Sequence, residues 1–133
     1  MSATLTPTKE TFQNYAQLRA KHAWTAAQDT VFKGKEGGEA VKKVPAMIIE
    51  NGLLGAMAFA IEKGEGYLKT FEALRNHLVD LGNSSTKATK TVGDWFDRLA
   101  SSDAETLRLT TSECMAYLAY LRRFAKKDEK KEE

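Results

Sequence analysis

Two histidines, one cysteine and a handful of carboxylates are the residues of this 133-residue chain best suited to metal or covalent chemistry, and their spacing assembles none. His22 and His77 have no histidine four positions on, no HExxH pattern and no nearby cysteine pair, so the usual zinc spacings are missing. Both read as surface or boundary residues. Asp94 and Asp97 lie one helical turn apart and could touch a magnesium ion, but such sites draw on further carboxylates or a substrate phosphate. Acids in a first helical turn are already favoured by the helix dipole. Glu50, beside Asn51-Gly52, lacks a partner and reads as an exposed helix-end residue. Cys114 falls on an apolar stripe, which suits a buried structural thiol better than a nucleophile. A lone cysteine makes no intrachain disulfide and fits a reducing compartment. Gly34 to Gly38 lacks the GxxxxGK[ST] spacing of a phosphate loop, and no strand precedes it. No cofactor, metal or small-molecule substrate is expected, and no catalysis.

The remaining chemistry is cationic. Lysine and arginine hold phosphates without reading sequence, by displacing condensed counterions. Lys42-Lys43 and Arg122-Arg123 are the densest basic pairs with no acid between them, and Arg19 with Lys21 forms another cluster. The net charge is only +2, from 20 basic and 18 acidic residues, which is low for a protein that binds nucleic acid tightly by itself. Any one of these side chains is simply a solvated cation on a helix. As a set they predict weak phosphate contacts that gain strength when several copies share one strand.

The elements that carry these residues read as helical almost throughout. Alternating strand patterns are nearly absent, and apolar residues recur three or four apart. Thr6-Pro7 suits a helix start, with a stripe through Phe12, Ala16, Ala20, Ala23, Ala27 and Val31 reaching about Lys33, and Trp24 at its edge. Gly34 to Gly38 is expected to end it. A second helical stretch from about Glu39 carries Pro45 and apolar residues nearly all round, with a break at Asn51-Gly52 and a stop at Gly64-Glu65-Gly66. Tyr67 to Leu81 is the cleanest amphipathic helix, closed by Gly82. Asn83 to Lys90 is polar and reads as an exposed loop, and Thr91 with Asp94 opens a short helix holding Trp95, Phe96 and Leu99. Ser102 to Glu105 and Thr110 to Glu113 both match the capping box, which places the last helix at about Thr111 to Lys127. Cys114, Tyr117, Leu118, Leu121 and Ala125 would then point inward. The expectation is a compact all-α, single-domain bundle of about five to six helices over residues 1–133, frayed over 1–6 and 128–133. Val44 to Ile61 is too interrupted for a bilayer span, and the N-terminus lacks a secretory pattern, so a cytoplasmic protein is expected.

Three segments in this order resemble the small subunit of the type III-B (Cmr) CRISPR effector complex. They are Arg19 to Trp24, Val44 to Leu53 with Ala58-Phe59-Ala60, and Tyr117 to Ala125. The middle segment is the most specific, and Asn83 to Lys90 is the least family-like. The resemblance implies a helical bundle without catalytic activity that stacks head to tail with copies of itself. It implies partners in the backbone and large Cmr subunits, crRNA and target RNA, with cleavage performed by those other subunits. From the basic clusters, Arg19, Lys21, Lys42, Lys43, Arg122 and Arg123 are the candidate RNA contacts, and the apolar edges Leu18, Trp24 and Tyr120 are candidates for protein contacts. Two competing readings are a helical adaptor that binds only protein and a small metal-dependent hydrolase using Asp94 and Asp97.

Overall fold

The computed structural model describes residues 14–29, 32, 35–83 and 86–131, with the backbone alone for 35–37 and 126–131. These form five helices and, among the described residues, no strand: α1 (Tyr15–Ala26), α2 (Lys35–Lys63), α3 (Glu65–Asp80), α4 (Val92–Ala100) and α5 (Ala104–Lys131).

The proposed start at Thr6-Pro7 lies outside the described residues. α1 is opened by Asn14, whose side chain accepts from the Gln17 N–H at 2.8 Å, while the Gln17 side chain accepts from the Asn14 N–H at 2.9 Å. This reciprocal cap satisfies two orphan donors. The helix closes at Ala26, several residues before the expected end near Lys33. A correction follows at the glycines: Lys35 to Gly38 begin α2 instead of breaking the chain. Their low propensity is overridden by the packing of the next turn, where Ala40, Val41 and Val44 are buried.

α2 is the central helix. Val41, Val44, Ile48, Leu53, Met57 and Ala60 are buried along it. The 26-residue stretch Gly38–Lys63 is long and apolar enough to cross a membrane, yet it packs against α3, α4 and α5, with a third of its most apolar window buried. Pro45 is accommodated within the helix, and the expected break at Asn51-Gly52 is a kink. Gly52 sits at φ 80° and ψ 164°, a conformation that essentially only glycine adopts. Gly52→Ala should therefore cost about 1–3 kcal/mol in a urea melt although a Cβ there meets no neighbour. Gly64 at φ 75° and Glu65 at φ 51° reverse the chain with almost no loop, so α3 folds back on α2 and Phe59 meets Tyr67 edge to face at 5.2 Å.

α3 buries Phe71, Leu74 and Leu78 as its periodicity predicts. The 83–90 connector is less exposed than its polarity suggests. Thr86 and Thr89 are buried, because Thr86 Oγ1 donates to Asn83, Thr89 Oγ1 donates to the Thr86 carbonyl, and Arg75 donates to the Thr89 carbonyl at 2.6 Å. Thr91 caps α4 by accepting from the Asp94 N–H, as read from the sequence.

α5 needs a second correction. It starts at Ala104, capped by Asp103, whose carboxylate accepts from the Thr106 N–H at 2.8 Å. Thr110 and Thr111 do not start a helix. They lie within it and donate to the carbonyls of Thr106 and Leu107. The inward set Cys114, Tyr117, Leu118, Leu121 and Ala125 is buried as expected. α1 lies along α5 in the same direction, with Arg19 meeting Glu113 and Trp24 meeting Phe124.

Candidate functional site

The basic candidates sit on three helices. Val41 and Val44 are both buried, so Lys43 between them turns outward and Lys42 is half-buried. Arg122 and Arg123 occupy the corresponding outward gap between the buried Leu121 and Ala125. Lys21 is exposed on α1. Lys21, Lys43, Arg122 and Arg123 keep their charges in water, where phosphate contact needs little desolvation.

Arg19 is placed differently from the other five. Its Nε and Nη2 donate to the two carboxylate oxygens of Glu113 at 2.8 and 2.7 Å, a bidentate pair between α1 and α5. That pairing holds the Arg19 guanidinium above its ordinary value. Its geometry serves helix docking, leaving a half-buried cation with its main acceptor already supplied.

Glu113 also receives His77. His77 Nε2 lies 2.8 Å from Glu113 Oε2, and His77 Nδ1 lies 2.7 Å from His22 Nδ1. His77 is fully buried, deeper than the surface or boundary position expected for it, and its ring stacks on Tyr117 with centroids 4.4 Å apart. Burial pushes the His77 imidazole below its usual range, against the opposing pull of Glu113. Burial also opposes ionisation of Glu113, but hydrogen bonds from Arg19 and His77 outweigh it and hold the carboxyl below the usual range. At neutral pH the carboxylate only accepts, so His77 carries its proton on Nε2 and accepts at Nδ1. His22 must then donate through Nδ1. The result is a single directed chain, His22 to His77 to Glu113, closed by Arg19.

This network was not visible as a site in the sequence. Its members are 94, 55 and 36 positions apart for Arg19–Glu113, His22–His77 and His77–Glu113. One signal did exist. His77 falls in phase with Leu74 and Leu78, and Glu113 lies four residues before Tyr117, so both belong to apolar stripes.

The remaining chemical candidates stay separate. Asp94 is exposed and accepts from the Lys90 N–H, and Asp97 is exposed on the same helix. Among the described residues no group of three metal-ligating side chains converges. Cys114 is fully buried, and burial pushes its thiol up, away from thiolate chemistry. Glu50 is exposed.

The large exposed apolar residues lie on three helices: Tyr15 and Trp24 on α1, Ile49, Phe59 and Ile61 on α2, and Leu109 on α5. Ile49 is 74% exposed on α2, and Trp24 is 56% exposed on α1 while edge-on to Phe124 at 5.2 Å. Leu18 and Tyr120 are half-buried.

Comparison with known proteins places this architecture. Residues 15–128 match the family model described as CRISPR-associated protein (Cas_Cmr5). The chain is similar to the crystal structure of a CRISPR-associated Cmr5 family protein from Thermus thermophilus, at 20% identity and a TM-score of 0.69, covering 88% of this chain and 99% of that one. At that identity the likeness concerns the fold. No curated protein matches the sequence.

Proposed function

Because the chain belongs to the Cmr5 family of CRISPR-associated proteins, the small, non-catalytic subunits of CRISPR effector complexes, we propose that it holds target RNA passively through repeated phosphate contacts. The proposed partners are the backbone and large Cmr subunits, crRNA, target RNA and head-to-tail copies of the chain itself. The proposed RNA contacts are Lys21, Lys42, Lys43, Arg122 and Arg123, with Arg19 held back to dock α1. The observation that carries this reading is the outward display of Lys43, Arg122 and Arg123 from helix faces whose neighbouring residues are buried. Such side chains bind little RNA singly. Stacked copies present them again and again along one strand, so avidity replaces affinity. A head-to-tail stack needs two unlike patches on each copy, and Ile49 on α2 and Trp24 on α1 supply exposed apolar surface on two different helices.

The test is target binding by the reconstituted complex. Lys42→Ala with Lys43→Ala, and Arg122→Ala with Arg123→Ala, should each weaken binding uniformly across RNA sequences. The salt exponent should fall by about 1 for each phosphate that is no longer neutralised. The melting curves of both double variants should match that of the parent chain. Unchanged affinity and unchanged salt dependence in both would favour the protein-only adaptor.

A further inference from the structure

The buried histidine chain has a property that RNA holding does not use. His22 Nδ1 and His77 Nδ1 are 2.7 Å apart, a separation that accommodates one proton between them and not two. His77 Nε2 is already committed to Glu113, so a further proton on His77 can enter only at Nδ1. A neutral His22 absorbs that proton by moving its own to Nε2, on the Asp80 side, and accepting at Nδ1. Once both rings carry two protons, the two Nδ1–H groups face each other head on.

The helix that His22 belongs to is weakly anchored otherwise. Ala23 is the one residue of α1 that is fully buried, so little apolar area holds this helix to the body. Apart from the edge contact of the half-exposed Trp24 with Phe124, its side-chain ties to α3 and α5 are polar: His22 to His77 and Arg19 to Glu113. An element with few apolar contacts opens locally at a free energy well below that of the whole domain.

We propose that the His22–His77 contact is an acid-released latch, which undocks helix α1 from α3 and α5 when both rings carry two protons while the α2–α5 body stays folded.

The charged and titratable surroundings support the direction. From α1, Arg19 faces Glu113, and Asp29 follows at the end of the helix; from α3, Lys69, Glu72 and Asp80 line the cleft beside the pair; from α5, Glu113 and Tyr117 face His77. Asp80 Oδ2 is 3.9 Å from His22 Nε2, so a charged His22 keeps an ion-pair partner without breaking the chain. With both protons on His22, a second ring proton on His77 has no acceptor at Nδ1. Burial holds docked His77 below the ordinary imidazole range of about 6.5, whereas an undocked His77 exposed to water titrates near it. The undocked form therefore binds more protons in acid. Docking is fully favourable above about pH 6.5 and weakens as the pH falls below it. A cleft of about 330 Å³ already opens beside the pair, lined by His22, Asn76, His77 and Asp80, which gives protons and water a route to it.

The experiment is hydrogen exchange on the intact chain at about pH 7.5 and about pH 5, corrected for intrinsic rates, with ring-nitrogen NMR on the same samples. α1 amides should lose protection by about tenfold or more in acid relative to the core amides of α3 and α5. His77 Nδ1 should be unprotonated at the higher pH and protonated as α1 opens. In His22→Ala, α1 should be poorly protected at both pH values, with its pH response gone. The proposal is overturned if parent α1 protection does not change with pH, if α1 and the core lose protection together, or if His22→Ala keeps the parent response. None of these readouts depends on RNA.

Discussion

Glu113→Ala should lower stability by about 3 kcal/mol, read as a shifted urea midpoint with an unchanged slope. One carboxylate satisfies both a bidentate guanidinium and a buried imidazole. Deleting it strands Arg19, whose side chain is only 23% exposed, and His77, whose side chain is 0% exposed. Those groups lose water on folding and would gain nothing in return. Glu113→Gln keeps one acceptor oxygen and should fall between the two. Arg19→Ala should cost less, about 1 kcal/mol, because the surviving carboxylate keeps His77 and reaches solvent in part. A loss below about 1 kcal/mol in Glu113→Ala would show that α1 docks by other means.

The second large effect belongs to Trp95. α4 spans nine residues, too short to persist as an isolated helix. It is held by Val92, Trp95 and Leu99, and Trp95 is the largest of the fully buried side chains, tilted against Phe71 with centroids 6.4 Å apart. Trp95→Ala should cost about 3–5 kcal/mol from lost transfer energy and the cavity left behind. Among the described residues the indole N–H has no hydrogen-bond partner. Trp95→Phe should therefore lose packing volume and no hydrogen bond to protein, a penalty of about 1–2 kcal/mol. Equal losses in the two variants would mean that the indole nitrogen, not the bulk of the side chain, anchors α4. Urea melts followed by circular dichroism measure both.

Local rules made much of the fold legible before any coordinates. The inward set of α5 follows from its three-to-four spacing, and the break at Gly52 follows from residues that tolerate unusual backbone. The Thr91 cap and the stop at Gly82, φ 80°, are equally local. The failures share one cause, which is tertiary packing. Gly37 and Gly38 signal a turn, but the burial of Val41 and Val44 immediately after them draws the helix back through both. Glu113 fits a capping box with Thr110, but the helix has already started at Ala104, and the carboxylate is claimed by Arg19 and His77. Thr86 and Thr89 look like loop surface because their burial depends on Arg75 and Asn83. The family was legible in segments that mix core residues, such as Val44, Ile48, Leu53, Tyr117 and Leu121, with exposed ones such as Ile49 and Glu50. For the candidate RNA contacts, charge and spacing were legible. The separate role of Arg19 was not, because its acceptor lies on a helix far along the chain.

The latch leaves the two basic pairs in place, and of the proposed RNA contacts Lys21 alone rides on α1. Lys43, Arg122 and Arg123 lie on α2 and α5, outside the helix that the histidines tether. Mild acid should thus alter α1 without removing the basic pairs that face solvent.

Ultraviolet crosslinking of the assembled complex on bound target RNA, followed by mass spectrometry, addresses the phosphate-holding role most directly. Peptides containing Lys42-Lys43 and Arg122-Arg123 should carry nucleotide adducts, and the crosslinks should persist when the RNA sequence is changed. Adducts on other subunits, with none on this chain in a particle shown to contain it, would contradict that role and leave a brace made only of protein contacts.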